Sequence, residues 1–250
     1  MKQILIAIVL LVTGHLLFPT NREIIKSGSV EFEKTINMYA VYRKSGESHY
    51  ESYVNRNPQF LTQKSTLRFN QQGSLFRPHA GEQKAMLNSV VPFPFAGEQN
   101  RVYTDFDTDT RTTAKTVFEE EYLIKDSIRK IDWKLTDEFR DIAGFRCRRA
   151  NALILDSIYV VAFYTDEIHV SGGPDAFSGL PGMILTLALP HDHVIWRATQ
   201  VTVEDVNIDK AEITLQGKPV SKEEFQGSVM KSLKNINATL RALYIRDFMK

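Results

Sequence analysis

At 250 residues, 43% of them hydrophobic, the chain is long enough to bury a sizeable core in one domain or at most two. Lysine and arginine number 31 against 30 aspartates and glutamates, so no global field recruits nucleic acid or an anionic membrane. The single cysteine, Cys147, excludes an intramolecular disulfide and any CxxC metal or redox site. It reads as a buried small hydrophobe or as a reactive thiol.

In chain order, Lys2 precedes the apolar run Ile4–Val12, and polar character returns from Pro19 to Arg22. A basic start and a short apolar run predict a secretory signal peptide over about residues 1–20. The cleavage point is not marked, and an uncleaved N-terminal anchor stays open. No cysteine follows the run, so lipid attachment there is excluded. The chain is expected to be exported, with no stable membrane span in the mature part.

Residues 21–250 read as one domain. Val30, Phe32, Met38, Ala40 and Tyr42 recur at period two, which predicts strand from about Asn21 to Lys44. Ser45–Pro58 is expected as a surface connection, and Arg77–Gln99 as a long loop. Strands are predicted at Thr66–Asn70, Ser74–Phe76, Arg101–Phe106, Thr113–Ile124 and Asp132–Thr136, with a tight turn at Asp141–Gly144. Phe145–Leu155 and Ile158–Thr165 flank Asp156-Ser157 as a hairpin, with a bulge expected at Arg149-Ala150. Met183–Leu189 and Val194–Val203 flank Pro190–His193 as a second, and Ile213–Leu215 reads as one more short strand. Ser221-Lys222-Glu223-Glu224 is a capping box. Phe225, Val229, Leu233, Ile236, Leu240, Leu243 and Tyr244 then recur at helical spacing, predicting an amphipathic helix over about 221–248. The expected fold is mainly β (α+β): a curved antiparallel sheet or partly open barrel built from hairpins, covered by that helix.

Between the hairpins, Gly172-Gly173-Pro174-Asp175-Ala176-Phe177-Ser178-Gly179-Leu180-Pro181-Gly182 carries four glycines and two prolines. Such a stretch is a shaped loop, with Phe177 and Leu180 as anchors into the core and Leu180–Met183 fitting a type II turn. None of its residues is a good nucleophile with a recognisable base, and Ser178 has no partner for one. His191 and His193 would share a side only on an extended backbone; a zinc or copper site would need a further ligand such as His169 or Glu167. Otherwise they are polar turn residues. Asp166 and Glu167 should face opposite sides of a strand and so not serve one reacting atom. Arg146, Arg148 and Arg149, with Arg140, form the densest basic patch, either a solvated strand face or a seat for an anion or acidic partner. Trp133, Trp196, Phe163 and Tyr164 read as core, or as a binding platform if any lines a cavity.

Gly179-Leu180-Pro181-Gly182-Met183-Ile184-Leu185 resembles the signature of the GLPGLI family of bacterial envelope proteins, with Met183 where the signature has leucine. Trp133–Glu138, Ile142–Ala150, Phe163–Ile168 and Gly173-Pro174 resemble its central segment, and Leu67–Asn70, Ser74–Phe76 and Val102–Phe106 also fit, so the likeness spans roughly residues 30–205. Asp156-Ser157 departs from it, standing where glycine is expected. The resemblance implies a secreted or periplasmic protein, associated with outer-membrane transport systems, with no defined catalytic residues and no cofactor. Cys147 stands at a cysteine position of the family pattern. The leading expectation is a non-enzymatic binding or assembly accessory, with an outer-membrane transporter or other envelope protein as partner. The alternative is a periplasmic metal-binding protein using His191 and His193, and a third reading is an envelope hydrolase.

Overall fold

The structure, a computed structural model, describes residues 24–45, 50–79, 100–117, 120–208, 216–235, 241 and 245. The expected signal segment, most of the loop predicted after Arg77, the strand at Ile213–Leu215 and most of the helix beyond residue 235 lie outside them.

Among the described residues the strands are β1 (Gly28–Asn37), β2 (Phe60–Phe69), β3 (Gly73–Pro78), β4 (Arg101–Asp105), β5 (Thr110–Val117), β6 (Glu120–Ser127), β7 (Lys134–Ile142), β8 (Phe145–Ile154), β9 (Ile158–Thr165), β10 (Met183–Leu189), β11 (Val194–Val203) and β12 (Lys218–Val220). They form one sheet in the order β12-β6-β5-β4-β3-β2-β1-β11-β10-β9-β8-β7. It is thus two antiparallel meanders, β1–β6 and β7–β11, zipped together along β1 and β11. Hairpin-connected neighbours pair, as short connections favour. Only the small β12 joins in parallel, on β6. The sheet has two ends and is not closed into a barrel. It is the expected mostly-β architecture, in its open form.

β1 alternates buried and half-buried along its whole length, with Val30, Phe32 and Ile36 in the core. The same face buries Lys34, whose Nζ lies 5.0 Å from the centre of the Trp196 ring on β11. In β10, Met183, Ile184, Leu185 and Leu187 are all fully buried, so both faces of that strand are covered.

Several elements differ from the sequence expectation. The single strand expected at Thr113–Ile124 is two, β5 and β6, paired antiparallel with Thr113 opposite Ile124. Met38–Ser45 is helix α1, not strand: Met38, Val41 and Tyr42 are the buried residues, at helical spacing, and the Asn37 carboxamide oxygen caps the Ala40 N–H at 3.2 Å. A short helix, α2 (Tyr50–Val54), lies in the stretch expected to be a plain connection. The bulge expected in β8 falls on its partner. Leu135 pairs with Ala150 and Phe139 with Arg148, so the extra residues belong to β7.

The helix α3 (Lys222–Ser232) begins at the predicted capping box, with the Glu224 N–H donating to Ser221 Oγ and the Ser221 N–H to the Glu224 carboxylate. Phe225, Val229 and Leu233 form a second small core with Val117, Tyr122 and Ile124. Tyr122 and Phe225 meet edge to face, 5.4 Å between centroids. The described helix therefore covers only the β5–β6 end of the sheet.

Candidate functional site

The glycine- and proline-rich connection between β9 and β10 is closed at its base, where the Ile184 N–H donates to the Gly172 carbonyl at 2.9 Å. Phe177 and Leu180 are buried, as their apolar character predicts, and the Phe177 ring sits 6.5 Å from that of Trp196. The turn at Pro181 is tighter than the type II turn expected. The Gly182 N–H donates to the Leu180 carbonyl at 2.7 Å, spanning three residues, not four. Gly182 has φ +148°, and a Cβ there would lie 2.0 Å from the Thr165 carbonyl oxygen. No other residue fits against β9 at that point.

The loop's polar groups are tied to distant strands. The Asp175 carboxylate accepts from the Asn100 amide at 3.2 Å, just ahead of β4. Ser178 Oγ accepts from Arg111 Nη2 on β5 at 3.0 Å, and the Ser178 carbonyl accepts from Trp133 Nε1 at 3.0 Å, ahead of β7. β10 and β5 are six places apart in the sheet, roughly 29 Å if it were flat. A loop turned back on itself between Pro174 and Phe177 cannot stretch over that distance, so the sheet itself must curl beneath it.

At the foot of this brace is a cavity of about 80 Å³, between β5, β6, Ala176 of the loop and the first turn of α3. Arg111 and Lys115, buried at 7% and 8% exposure, reach it from β5. Arg129, Lys222 and Asp126 complete its charged lining, with Lys222 Nζ 2.8 Å from Asp126 Oδ2. That contact holds the Asp126 carboxyl below its ordinary range. Burial pulls Arg129 down, and takes Arg111 down to about 10 despite the field of Asp175. Sequence reasoning missed this cluster. The available signal was Arg111, Thr113 and Lys115 at period two on the same side as Val117, charged residues in register with a core position.

The residues singled out from sequence lie elsewhere. Pro190–Asp192 is a 3-10 turn and His193 is left-handed (φ +58°), so the backbone is not extended there; His191 is exposed and Asp192 buried between the two histidines. Among the described residues no three His, Cys, Asp or Glu side chains are grouped to hold a metal. Asp166 and Glu167 lie in a turn after β9, and His169 is exposed beyond it. Cys147 is fully buried with its Sγ 3.5 Å from the Phe145 carbonyl oxygen, and burial pushes the thiol up to about 12. The arginine patch is an ordered lattice at the β7 edge. Arg146 stacks 4.6 Å over Phe139, Arg148 Nε donates to the Thr136 carbonyl at 2.7 Å, and Glu138 joins Arg140 to Arg149. Trp196, Phe163 and Tyr164 are core, whereas Trp133 is half-buried against the β9–β10 loop.

Residues 153–186, from β8 through the loop into β10, match the family described as a protein of unknown function (Porph_ging). The fold is similar to that of PNGF-II. Its structures in the P21 and C2 space groups superpose with TM-scores of 0.54 and 0.55, at 14% and 12% identity, over 83% of this chain. The chain spans about a third of PNGF-II, 34% and 33% in the two structures. At that identity the likeness shows the fold alone. No curated protein sequence matches the chain.

Proposed function

We propose that the chain is an exported envelope protein of the GLPGLI type, acting as a non-enzymatic binding or assembly accessory near outer-membrane transport systems. The basic, apolar N-terminal stretch supports export, and Gly179–Leu185 supports the family. One observation carries the non-enzymatic reading. Ser178, the loop's hydroxyl, is buried and bonded to a guanidinium, a group with donors and no acceptor. Among the described residues a serine so held has no base to take its proton, and its role is to bolt the loop to β5. The cavity beside it is walled by held cations, an arrangement suited to binding.

The test is site-directed photocrosslinking in intact cells from Gln226, on the cavity wall. A crosslink to an outer-membrane transport protein is the expected result. Turnover of an envelope substrate by the purified chain, abolished by Ser178→Ala, would overturn the non-enzymatic reading.

A further inference from the structure

We propose that a groove across β8–β11, on the sheet face turned away from the main core, is a binding site for an alkyl carboxylate, a ligand of the fatty-acid class. The groove holds about 510 Å³, within the range of about 300–1,000 Å³ common for small-molecule sites. It shares no lining residue with the cavity at β5 and β6, and a ligand there goes beyond the accessory reading. Strand register builds it. Arg149 on β8 stands opposite Phe163 on β9, Phe163 opposite Thr186 on β10, and Thr186 opposite Arg197 on β11. The neighbouring row, Val161, Ala188 and Ile195, is half-buried and wholly apolar. The residues between the two rows in sequence, Ala162, Leu187 and Trp196, point the other way into the core.

Thr186 marks where the polar end goes. It is 7% exposed, and its Oγ1 has no hydrogen-bond partner among the described residues. A buried hydroxyl left so is costly, and a ligand oxygen beside it removes the cost. Arg197 supplies the charge. It is exposed and forms no ion pair among the described residues, not even with Glu33 opposite it on β1. Arg140 and Arg149 are both tied to Glu138, and Asp141 stands in the lining. Three arginines against these two carboxylates leave one positive charge, the complement of one carboxylate. That group accepts from the Thr186 hydroxyl and the Arg197 guanidinium.

The sheet decides the other end of the ligand. β8, β9, β10 and β11 lie inside it, each paired on both sides, so their backbone N–H and C=O groups are taken up by the ladder. A peptide laid in the groove would leave amides of its own unpaired. An alkyl chain carries no such groups and covers the row of Val161, Ala188 and Ile195. Towards β7 the Phe163 ring, with the Arg140 guanidinium 4.7 Å from its centre, bounds the groove.

The test is calorimetric titration of the purified full chain with decanoate, below its micelle concentration, against decanol and decyltrimethylammonium. Saturable decanoate binding is expected, about tenfold tighter than that of decanol, with none of the ammonium. Arg197→Gln and Thr186→Val should each weaken it about tenfold. Thr186→Val removes an unpaired hydroxyl at nearly constant shape, so its Tm should equal or exceed that of the unaltered protein. Weaker binding at an undiminished Tm separates a lost ligand contact from lost folding, and Arg197→Gln alters an exposed side chain. The absence of saturable binding, equal binding of decanoate and the ammonium, or an affinity unchanged in both variants would overturn the proposal. Any of these with the Gln226 crosslink intact removes the carboxylate site and leaves the accessory reading standing.

Discussion

Gly182 and Gly144 both have φ in the region glycine favours, +148° and +87°, yet their surroundings are opposite. A Cβ at Gly144 meets nothing within 4 Å, whereas one at Gly182 strikes the β9 backbone. Gly144→Ala should therefore cost about 1 kcal/mol, the backbone term alone. Gly182→Ala should cost roughly 3 kcal/mol or more, since a carbonyl of the sheet has to move. Urea unfolding of both variants measures the difference, and equal losses would mean that the loop does not seat against β9. Cys147 allows a second comparison at this scale. Its thiol is pushed from 9.0 to about 12, desolvation first and then the fields of Glu167 and Asp141. Below pH 9 the thiol is protonated folded or unfolded, and its contribution to stability is intact. As pH rises toward 12 the unfolded chain releases that proton first, so the contribution is lost across that window. The native protein should resist thiol alkylation at pH 8 and react once unfolded; labelling of the native state would contradict its burial.

The β8–β9 and β10–β11 hairpins are legible in their alternation, whereas β5–β6 reads as one strand because no glycine, proline, asparagine or aspartate interrupts Thr113–Ile124. The β8–β9 connection is the instructive case. No glycine marks it, and Leu155 and Asp156 take positive φ themselves, 48° and 55°, with the Ser157 N–H donating to the Ile154 carbonyl at 3.2 Å. Leu155 is exposed and loses little packing on removal, so Leu155→Gly should raise stability by about 0.5–1 kcal/mol in thermal unfolding. A lower Tm would mean that its side chain is doing something the turn geometry does not reveal. The sequence of α1 is ambiguous for a different reason. Met38, Ala40 and Tyr42 satisfy a period of two, while Met38, Val41 and Tyr42 satisfy the helical one, and the deciding signal was Asn37 as a cap. α3 had no such rival because the capping box is explicit. Ser221→Ala should cost about 1 kcal/mol, and Phe225→Ala about 3 kcal/mol as the small core against Tyr122 opens. Chemical denaturation of the two variants reads both losses; if Ser221→Ala costs as much as Phe225→Ala, the helix is held by its cap and not by its packing.

Across the whole molecule, two meanders joined at β1 and β11 make a wide sheet, and the glycine- and proline-rich loop between β9 and β10 braces its curl. Phe177 and Leu180 fill the core from above, while Asp175, Ser178 and the Trp133 bond fasten the loop to segments far apart in the sheet. Sequence could locate this loop and its anchors, because glycine, proline and aromatic positions speak locally. It could not reveal that Arg111, 67 residues away, meets Ser178. That contact exists only once the sheet has curled, and so the charged cavity stayed hidden with it. The loop is on this account a brace whose lower end, at Ala176, forms one wall of the charged cavity. The measurement that tests it most directly is a double-mutant cycle between Arg111→Met and Ser178→Ala, followed by urea unfolding. A coupling energy of about 1.5–3 kcal/mol is predicted for a charged, buried hydrogen bond between the loop and β5. Additive losses, with coupling indistinguishable from zero, would contradict the account.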